Sequence, residues 1–550
     1  MLLALLVALT FLYTVLLWIG ALHAYHHLYV LLIAYQYVLL LPALLVYLRS
    51  RNNPSSPRTF PLPRLVVTIL LFALVAIPLS WFSTRGLLNP DESGYSFQAR
   101  IFLSGQLKVD PLIGASPNVR ETPRESYFEG HVLRPDAWFT KFPPGWPLVL
   151  ATGYAISRPW LITPILSIAS LMIMATIGRL LFSVETGIVA VLLAVLSSFY
   201  LVNSIGMMSH ALCALLSILA CLCLFRGLAT GRLSSFTGMF ACLALALQVR
   251  PYTAFVLAVI LTVVALWGTR TDLRLWVRVL GVGTLFGAIA LAGVLVYNHL
   301  YTGHWLVSPY ALAAGAQAPP ELSLNPARIW RGIVQYGRQT FEMSLIGLFP
   351  FGYVLAGYAL LTERQARREV WILASLYLGL VIAYLAHPEG SGVFFGERFH
   401  FEGMFAVFLL AARGLTLLAQ RWNLSRLNLA SALSLVAFIQ VNQQAVTALT
   451  VARQGEPYRK IRAAVSQPSV TGVVFLHDGP GFVAKHFNLN QADWAHAPRL
   501  FLVDAEPDRR NEWACSYHAS SWTVAEYDPA TRSAILKGDH ANCGVPEPKQ

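Results

Sequence analysis

Two adjacent carboxylates and two distant cations are the groups in this chain best suited to chemistry. Asp91 and Glu92 stand in Leu87-Leu88-Asn89-Pro90-Asp91-Glu92-Ser93-Gly94-Tyr95, directly after an apolar stretch long enough to cross a bilayer. They open a hydrophilic stretch that closes at Lys141-Phe142-Pro143-Pro144-Gly145-Trp146-Pro147. Arg398 lies in Gly396-Glu397-Arg398-Phe399-His400, between two later apolar stretches. A carboxylate at a membrane exit can take the proton of an acceptor hydroxyl. Lys141 and Arg398 can neutralise a departing phosphate. Together these types suggest group transfer at the outer membrane surface. Nucleotide-activated donors are confined to the cytoplasm, so a donor there must ride on a lipid, and a sugar on a polyprenyl phosphate meets that need.

Each group also has a plainer reading. Asn89-Pro90-Asp91-Glu92 is a natural helix start, with a carboxylate capping backbone N–H groups. Lys141 can snorkel at the interface, and Arg398 can pair with Glu397 or Glu389. Arg250-Pro251 reads as a tight turn that either touches phosphate or is simply capped. His210, following Asn203, Ser204 and Ser209 inside a span, reads as a hydrogen-bonder within the bundle. His23, His26 and His27 read as interfacial rather than metal-binding. Three features favour chemistry at Asp91: its place at a membrane exit, a loop longer than a connection needs, and the Lys141-Phe142-Pro143-Pro144 element closing that loop. No cofactor is assigned. Asp91 and Glu92 could share a divalent metal, but no HExxH, paired CxxC or Walker A pattern is present.

The elements that must position these groups are membrane helices. Of the 550 residues 56% are hydrophobic and 12% charged, against about a quarter charged in a soluble protein. About thirteen spans of the required ~20 residues are expected. They lie near 1–20, 28–48, 65–82, 160–181, 186–203, 207–225, 234–249, 252–268, 277–297, 344–361, 370–386, 401–419 and 428–449. On that count one side collects Arg49, Arg51, Arg58, Arg64, Arg270, Arg274, Arg364, Arg367, Arg368, Arg421 and Arg426, which makes it cytoplasmic, with the N-terminus. The loops 83–145, 298–343 and 387–400 and the tail then face outward, into the periplasm if the membrane is a bacterial inner membrane. Met1–Ile19 is taken as a retained span, because it lacks a basic leader and a cleavage site.

Within the first outward loop, Ser93–Leu107 reads as an amphipathic helix with Tyr95, Ala99, Phe102 and Leu103 on one face, able to lie along the membrane. Pro144–Ile156 is too short to span and reads as re-entrant or interfacial. Asn325–Phe341 reads as a surface helix carrying Arg328, Arg331 and Arg338. From about Val451 the chain turns polar, with strand-like runs Gly472–Leu476, Leu500–Val503, Trp522–Tyr527 and Ser533–Leu536, the last two flanking a hairpin turn. The division expected is 1–64 for two extra N-terminal spans, 65–450 for the catalytic bundle and 451–550 for a small outward α/β domain. The net charge of +13 does not signal nucleic acid, since much of the Arg sits in cytoplasmic loops beside anionic headgroups. Cys213, Cys221, Cys223 and Cys242 read as small hydrophobes, whereas a disulfide between Cys515 and Cys543 is permitted outside the cytoplasm.

These motifs resemble the GT-C superfamily of membrane glycosyltransferases. The likeness rests on a long first outward loop with Asp91, Glu92 and Tyr95, the Pro-Pro helix Lys141–Leu150, and the Arg-aromatic segment leading to Ala411-Ala412-Arg413-Gly414-Leu415. The nearest relatives on this ground are protein O-mannosyltransferases and aminoarabinose lipid A transferases. The resemblance implies an all-α polytopic bundle with a small C-terminal α/β domain, and transfer of a monosaccharide from a polyprenyl-phosphate donor with inversion. It implies Asp91 as base, Glu92 as its partner, Lys141 and Arg398 as phosphate ligands, and Tyr95, Arg250 and His400 as candidate substrate contacts. The acceptor would be a glycolipid, a polysaccharide or a protein. Two extra spans precede the family's usual first one, and Lys141 stands where a His often precedes Pro-Pro. No WWDYG motif is present, which argues against transfer of a preassembled glycan to asparagine. The competing class is a transporter or flippase of a lipid-linked or small substrate. Such proteins place ionisable groups near the bilayer midplane and repeat their halves, whereas the polar residues here gather at one surface.

Overall fold

Long apolar runs in a membrane must satisfy every backbone group internally, and this chain does so with helices. The computed structural model describes residues 2–23, 62–86, 89–111, 128–134, 136–313, 326–342, 351–385, 392–393, 396–424 and 426–541. Its bundle helices are α1 (Leu2–His23), α2 (Leu62–Ser83), α3 (Pro90–Leu103), α4 (Gly145–Ala155), α5 (Ile162–Leu181), α6 (Val184–Val195), α7 (Ser198–Asn203), α8 (His210–Thr230), α9 (Leu233–Leu247), α10 (Pro251–Thr269) and α11 (Leu273–Thr302). They continue with α12 (Pro309–Ala313), α13 (Pro326–Glu342), α14 (Gly352–Thr362), α15 (Arg367–Leu385), the 3-10 turn Arg398–Gly403, α16 (Met404–Arg421) and α17 (Arg426–Gln454).

Among the described residues, eight helices are long and apolar enough to cross a membrane: Leu65–Ser83, Pro159–Leu181, His210–Thr230, Pro251–Thr269, Leu273–Thr302, Arg367–Leu385, Arg398–Arg421 and Leu433–Gln454. Four shorter apolar helices accompany them: Leu6–Leu16, Val184–Val195, Leu233–Leu247 and Gly352–Thr362. The expected span 28–48, the Arg-rich loop after it and the three clustered histidines are outside the described residues, apart from His23. The expected single span 186–203 is divided. α6 stops at Val195, and Ser197 caps α7 by accepting from the Tyr200 N–H at 3.2 Å, the competition that makes Ser a helix-start residue.

The core of the bundle is a continuous apolar cluster from Phe72 on α2 to Leu415 on α16. Residues facing lipid, such as Leu70, Leu74, Phe255, Leu285 and Ile382, stay exposed. α2 and α11 end, and α8, α10 and the Arg398 turn begin, at one end of the bundle. The connections holding Arg270 and Arg274, Arg364 to Arg368, and Arg421 lie at the far ends of those same helices. At ~1.5 Å per residue, helices of this length put roughly 27 Å or more between the two ends.

The tail folds as a four-stranded sheet in the order β6-β5-β7-β8, made of β5 (Gly472–Leu476), β6 (Arg499–Val503), β7 (Ser521–Asp528) and β8 (Ser533–His540). β5 pairs in parallel with β6 and β7, and β8 closes antiparallel through the expected hairpin. The helix α18 (Glu456–Val465) covers one face, and Tyr458, Ile461 and Val465 share a core with Phe475 and Phe501. That core continues into Phe97 and Ile101 of α3 and into Trp138 of the hairpin β1 (His131–Arg134) and β2 (Ala137–Thr140). α3 is therefore covered by protein rather than presenting an open apolar face to lipid. It starts earlier, at Pro90, and is buried on most sides, with Tyr95 and Ala99 against α4 and Phe97 and Ile101 against the tail domain, while Leu103 alone of the expected apolar face is half-exposed. A two-residue strand pair, β3 (Gly392–Val393) and β4 (Gly396–Glu397), precedes the Arg398 turn. The amphipathic surface helix expected near 325–341 is present as α13, with Trp330, Ile333 and Val334 exposed. Cys515 is disulfide-bonded, and Cys543 lies outside the described residues.

Candidate active site

The connection 204–209 between α7 and α8 leaves backbone groups that no helix satisfies, and buried groups of this kind must find partners. The Met207 N–H donates to Glu92 Oε1 at 2.8 Å, and the Met207 carbonyl accepts from Trp146 Nε1 at 2.8 Å. The Ile205 carbonyl accepts from Ser80 Oγ at 2.7 Å and Ser83 Oγ at 3.0 Å. Glu92 on α3, Trp146 on α4 and two serines at the end of α2 thus lock one irregular segment. Glu92 is fully buried in that role.

Asp91 has a different setting. The helix cap is Asn89, whose side chain accepts from the Asp91 N–H at 3.0 Å, so the Asp91 carboxylate is not consumed as a cap. Its Oδ2 lies 3.1 Å from Arg398 Nη2, across 307 residues of chain, and both side chains keep some exposure, 22% and 15%. Among the described residues, Arg398 Nε and Nη1 are buried with no hydrogen-bond partner, and the guanidinium faces the Phe399 ring at 5.5 Å. A guanidinium holding one carboxylate through one nitrogen, with two N–H groups unused, has capacity for a second anion.

Tyr95, one turn after Asp91 on the same face, meets Ser209 Oγ at 3.0 Å and packs on the Phe142 ring at 4.2 Å. Burial, then the charge of Asp91, pushes its hydroxyl up to about 12, so it remains a neutral hydrogen-bonding group. The helix admits this packing because residue 94 is glycine: a Cβ there would stand 2.6 Å from Phe142 Cε2. Lys141 precedes Phe142, and its Nζ lies 5.5 Å from the rings of Phe142 and Tyr310. It forms no ion pair among the described residues. It stands one aromatic ring away from Tyr95, not in contact with Asp91.

Arg250 lies deeper. Its Nε is 3.0 Å from Glu402 Oε1, and its Nη1 donates to Ser209 Oγ at 3.3 Å and approaches His210 Nε2 at 3.4 Å. His210 Nδ1 meets the same Glu402 oxygen at 3.0 Å. Burial opposes the charge of Arg250, but Glu402, Tyr384 and Tyr95 outweigh it and hold its titration above the ordinary range, so Arg250 is a fixed cation. Its place in the turn before α10 is secured by the Gly145 N–H donating to the Gln248 carbonyl at 2.9 Å, which ties the Lys141-Phe142-Pro143-Pro144 element to the same spot. His400 lies elsewhere: it is buried between the rings of Tyr377 and Tyr384, at 6.0 and 6.1 Å, and has no surface to offer a substrate.

Of the residues singled out in the sequence, the fold joins Asp91 to Arg398 and groups Tyr95, Lys141 and Arg250 around them through Phe142 and Ser209. Glu92 is drawn into the bundle and His400 lies inside it. Sequence reasoning missed Glu402 and Ser209. The signal for Glu402 was a single carboxylate at the head of an apolar span, one turn after Arg398, since an ionisable group in a span marks a polar site. Among the described residues, no three His, Cys, Asp or Glu side chains gather as a cation site.

A helical membrane bundle with a buried loop helix after its membrane exit and a small sheet domain over it is a GT-C-like fold. Two solved structures of one protein are similar to this chain at the level of the fold. ArnT from Cupriavidus metallidurans in the apo state superposes with a TM-score of 0.54 at 13% identity, over 88% of this chain and 99% of that one. The same protein bound to undecaprenyl phosphate gives 0.53 at 13% identity, over 87% and 99%. An oligosaccharyltransferase from Archaeoglobus fulgidus gives a TM-score of 0.47 at 11% identity, over 84% of this chain and 68% of that one. No family model and no curated protein matches the sequence.

Proposed function

We propose that this chain is an integral-membrane glycosyltransferase that moves a monosaccharide from a polyprenyl-phosphate donor to an acceptor hydroxyl at the outer face of the membrane. The observation that carries the reading is the Asp91–Arg398 pair, with two further Arg398 N–H groups unpartnered beside it. The likeness to a fold whose ArnT member was solved with undecaprenyl phosphate supports a lipid phosphate as the donor's carrier.

In this reading the donor phosphate engages Arg398 and competes with Asp91 for its charge. The released Asp91 carboxylate takes the proton of the acceptor hydroxyl as that oxygen attacks the anomeric carbon. The bond from that carbon to the phosphate oxygen breaks, its electron pair stays on the phosphate, and Arg398 offsets the new negative charge. Attack opposite the leaving phosphate inverts the anomeric centre. Lys141 and Arg250 supply positive potential on either side, and Tyr95 with Ser209 presents hydroxyls to the sugar. Glu92 holds the loop that carries the site and does not react.

The spans are poor in ionisable groups outside this one end, which supports an enzyme over a transporter or flippase. The test is an assay of purified protein in liposomes with a radiolabelled polyprenyl-phosphate monosaccharide and glycolipid, polysaccharide or peptide acceptors. Labelled product of inverted configuration, with release of polyprenyl phosphate, is the expected result. Movement of intact donor between leaflets without cleavage would establish the transporter instead.

A further inference from the structure

A second group of cations lies on the other side of α3. Arg100 follows Asp91 by nine residues, a rotation of about 180° around the helix and roughly 14 Å along it. It belongs to the side that carries Ser93, whose Oγ accepts from the Asn488 N–H of the tail domain at 2.7 Å. Arg85 leaves the end of α2 with its guanidinium 3.8 Å from the Trp81 ring. Arg459 and Arg462 come from α18, the first being 4.0 Å from the Phe82 ring and the second 5.2 Å from that of Phe487. Arg462 Nη1 donates to the Thr84 carbonyl at 3.1 Å, and Arg459 Nη2 donates to the carbonyl of Ala452. The backbones meet closely enough that a Cβ on Gly86 would stand 2.7 Å from the Gly455 carbonyl oxygen and 3.2 Å from Arg459 Nη1.

None of these four guanidiniums forms an ion pair among the described residues. Arg100 Nε and Nη2, Arg459 Nη1 and Arg462 Nε are buried with no hydrogen-bond partner. Glu92 and Tyr154 act favourably on Arg462 from a distance, while Arg100 and Arg85 repel it. Burial foremost lowers Arg100 and brings Arg462 down to about 10. Buried like charges with unused donors are a costly arrangement unless an anion completes it. Forked guanidinium donors match the oxygens of a phosphate.

We propose that Arg85, Arg100, Arg459 and Arg462 form an anion site for a phosphomonoester, carried on a lipid headgroup and separate from the Asp91–Arg398 site. The lipid source is favoured by position: Arg85 is exposed beside Trp81, at the end of a helix whose Leu70, Leu71 and Leu74 face outward. The site stands whether or not the proposed transfer is correct, because no residue in it takes part in that reaction.

The test measures binding to the purified full chain in phosphatidylcholine nanodiscs, with dioleoyl phosphatidic acid and inorganic phosphate as separate probes. Phosphatidic acid should bind and raise the melting temperature of the wild type. Arg100→Gln and Arg462→Gln should each weaken this binding at least tenfold. Arg398→Gln, on the other side of α3, should leave a phosphatidic acid site of wild-type affinity. Without phosphatidic acid, Arg100→Gln should melt no lower than the wild type, because Arg100 Nε and Nη2 had no hydrogen-bond partner; this separates loss of the site from loss of the fold. Inorganic phosphate binding with the same dependence on Arg100 and Arg462, without phosphatidic acid binding, would support the anion site and assign it to free phosphate. Equal binding by wild type and both glutamine variants, or no binding of either probe, overturns the proposal.

Discussion

Arg398 Nη2 and Asp91 Oδ2 lie 3.1 Å apart at the junction of a loop helix and the turn that begins a membrane span, while two further Arg398 N–H groups remain unused. In the proposed transfer, Asp91 is the proton acceptor and Arg398 the phosphate ligand. Removing the cation should impair use of the donor more than use of the acceptor. Arg398→Gln is expected to raise the donor KM at least tenfold, the scale of one charge-assisted hydrogen bond at ~1.5–3 kcal/mol. An unchanged donor KM with an altered acceptor KM would move Arg398 out of the phosphate site.

In the proposed transfer Glu92 is a structural carboxylate and Asp91 the reactive one. Its Oε1 accepts the Met207 N–H at 2.8 Å in a fully buried setting. Glu92→Gln keeps an acceptor oxygen, whereas Glu92→Ala leaves the N–H unsatisfied at a cost of about 1–3 kcal/mol. Thermal unfolding in detergent should rank wild type and Glu92→Gln together and Glu92→Ala lower, with Glu92→Gln retaining transfer within tenfold. Loss of activity in a Glu92→Gln protein of normal stability would show that the charge itself is needed.

Most of this architecture was legible in the chain, for a physical reason. Apolar runs interrupted by arginines leave helices as the only solution in lipid. Asn89-Pro90-Asp91-Glu92 read as a natural helix start, although the helix itself was expected only from Ser93 and begins at Pro90. Asp91 and Arg398 were offered as candidates because both stand where spans meet a surface, and the fold brings them together. Glu402 was not legible, since its meaning depends on His210 and Arg250, brought to it from 192 and 152 residues away only in the folded bundle. The task of Glu92 was hidden for the same reason: its partner is a peptide group in an irregular segment. For Ser93–Leu107 the sequence did not show that the tail domain covers a side left to lipid or water when the segment is read alone.

His131 gives the docking of that domain a pH dependence. Its Nδ1 accepts from Trp138 Nε1 at 3.2 Å, and burial, followed by the charges of Arg100 and Lys141, pulls its titration down to about 3. An unfolded His takes up a proton near 6.5 while the buried one does not, so the unfolded state binds more protons below that pH. The stability contributed by neutral His131 is thus fully present above about 6.5 and declines as pH falls from there towards about 3. Melting temperatures between pH 7.5 and 4.5 should fall more steeply for wild type than for His131→Gln. Parallel curves would mean that His131 is protonated without cost.

The direct measurement is the single-turnover rate of sugar transfer by Asp91→Asn, at saturating labelled polyprenyl-phosphate donor and with folding checked by its melting curve. Asparagine keeps the size of the side chain and removes the proton acceptor, so the rate should drop at least ~100-fold, the lower range for loss of a general base. A folded Asp91→Asn protein that transfers sugar at close to the wild-type rate would contradict the account, because the transfer would then not need a proton acceptor at residue 91.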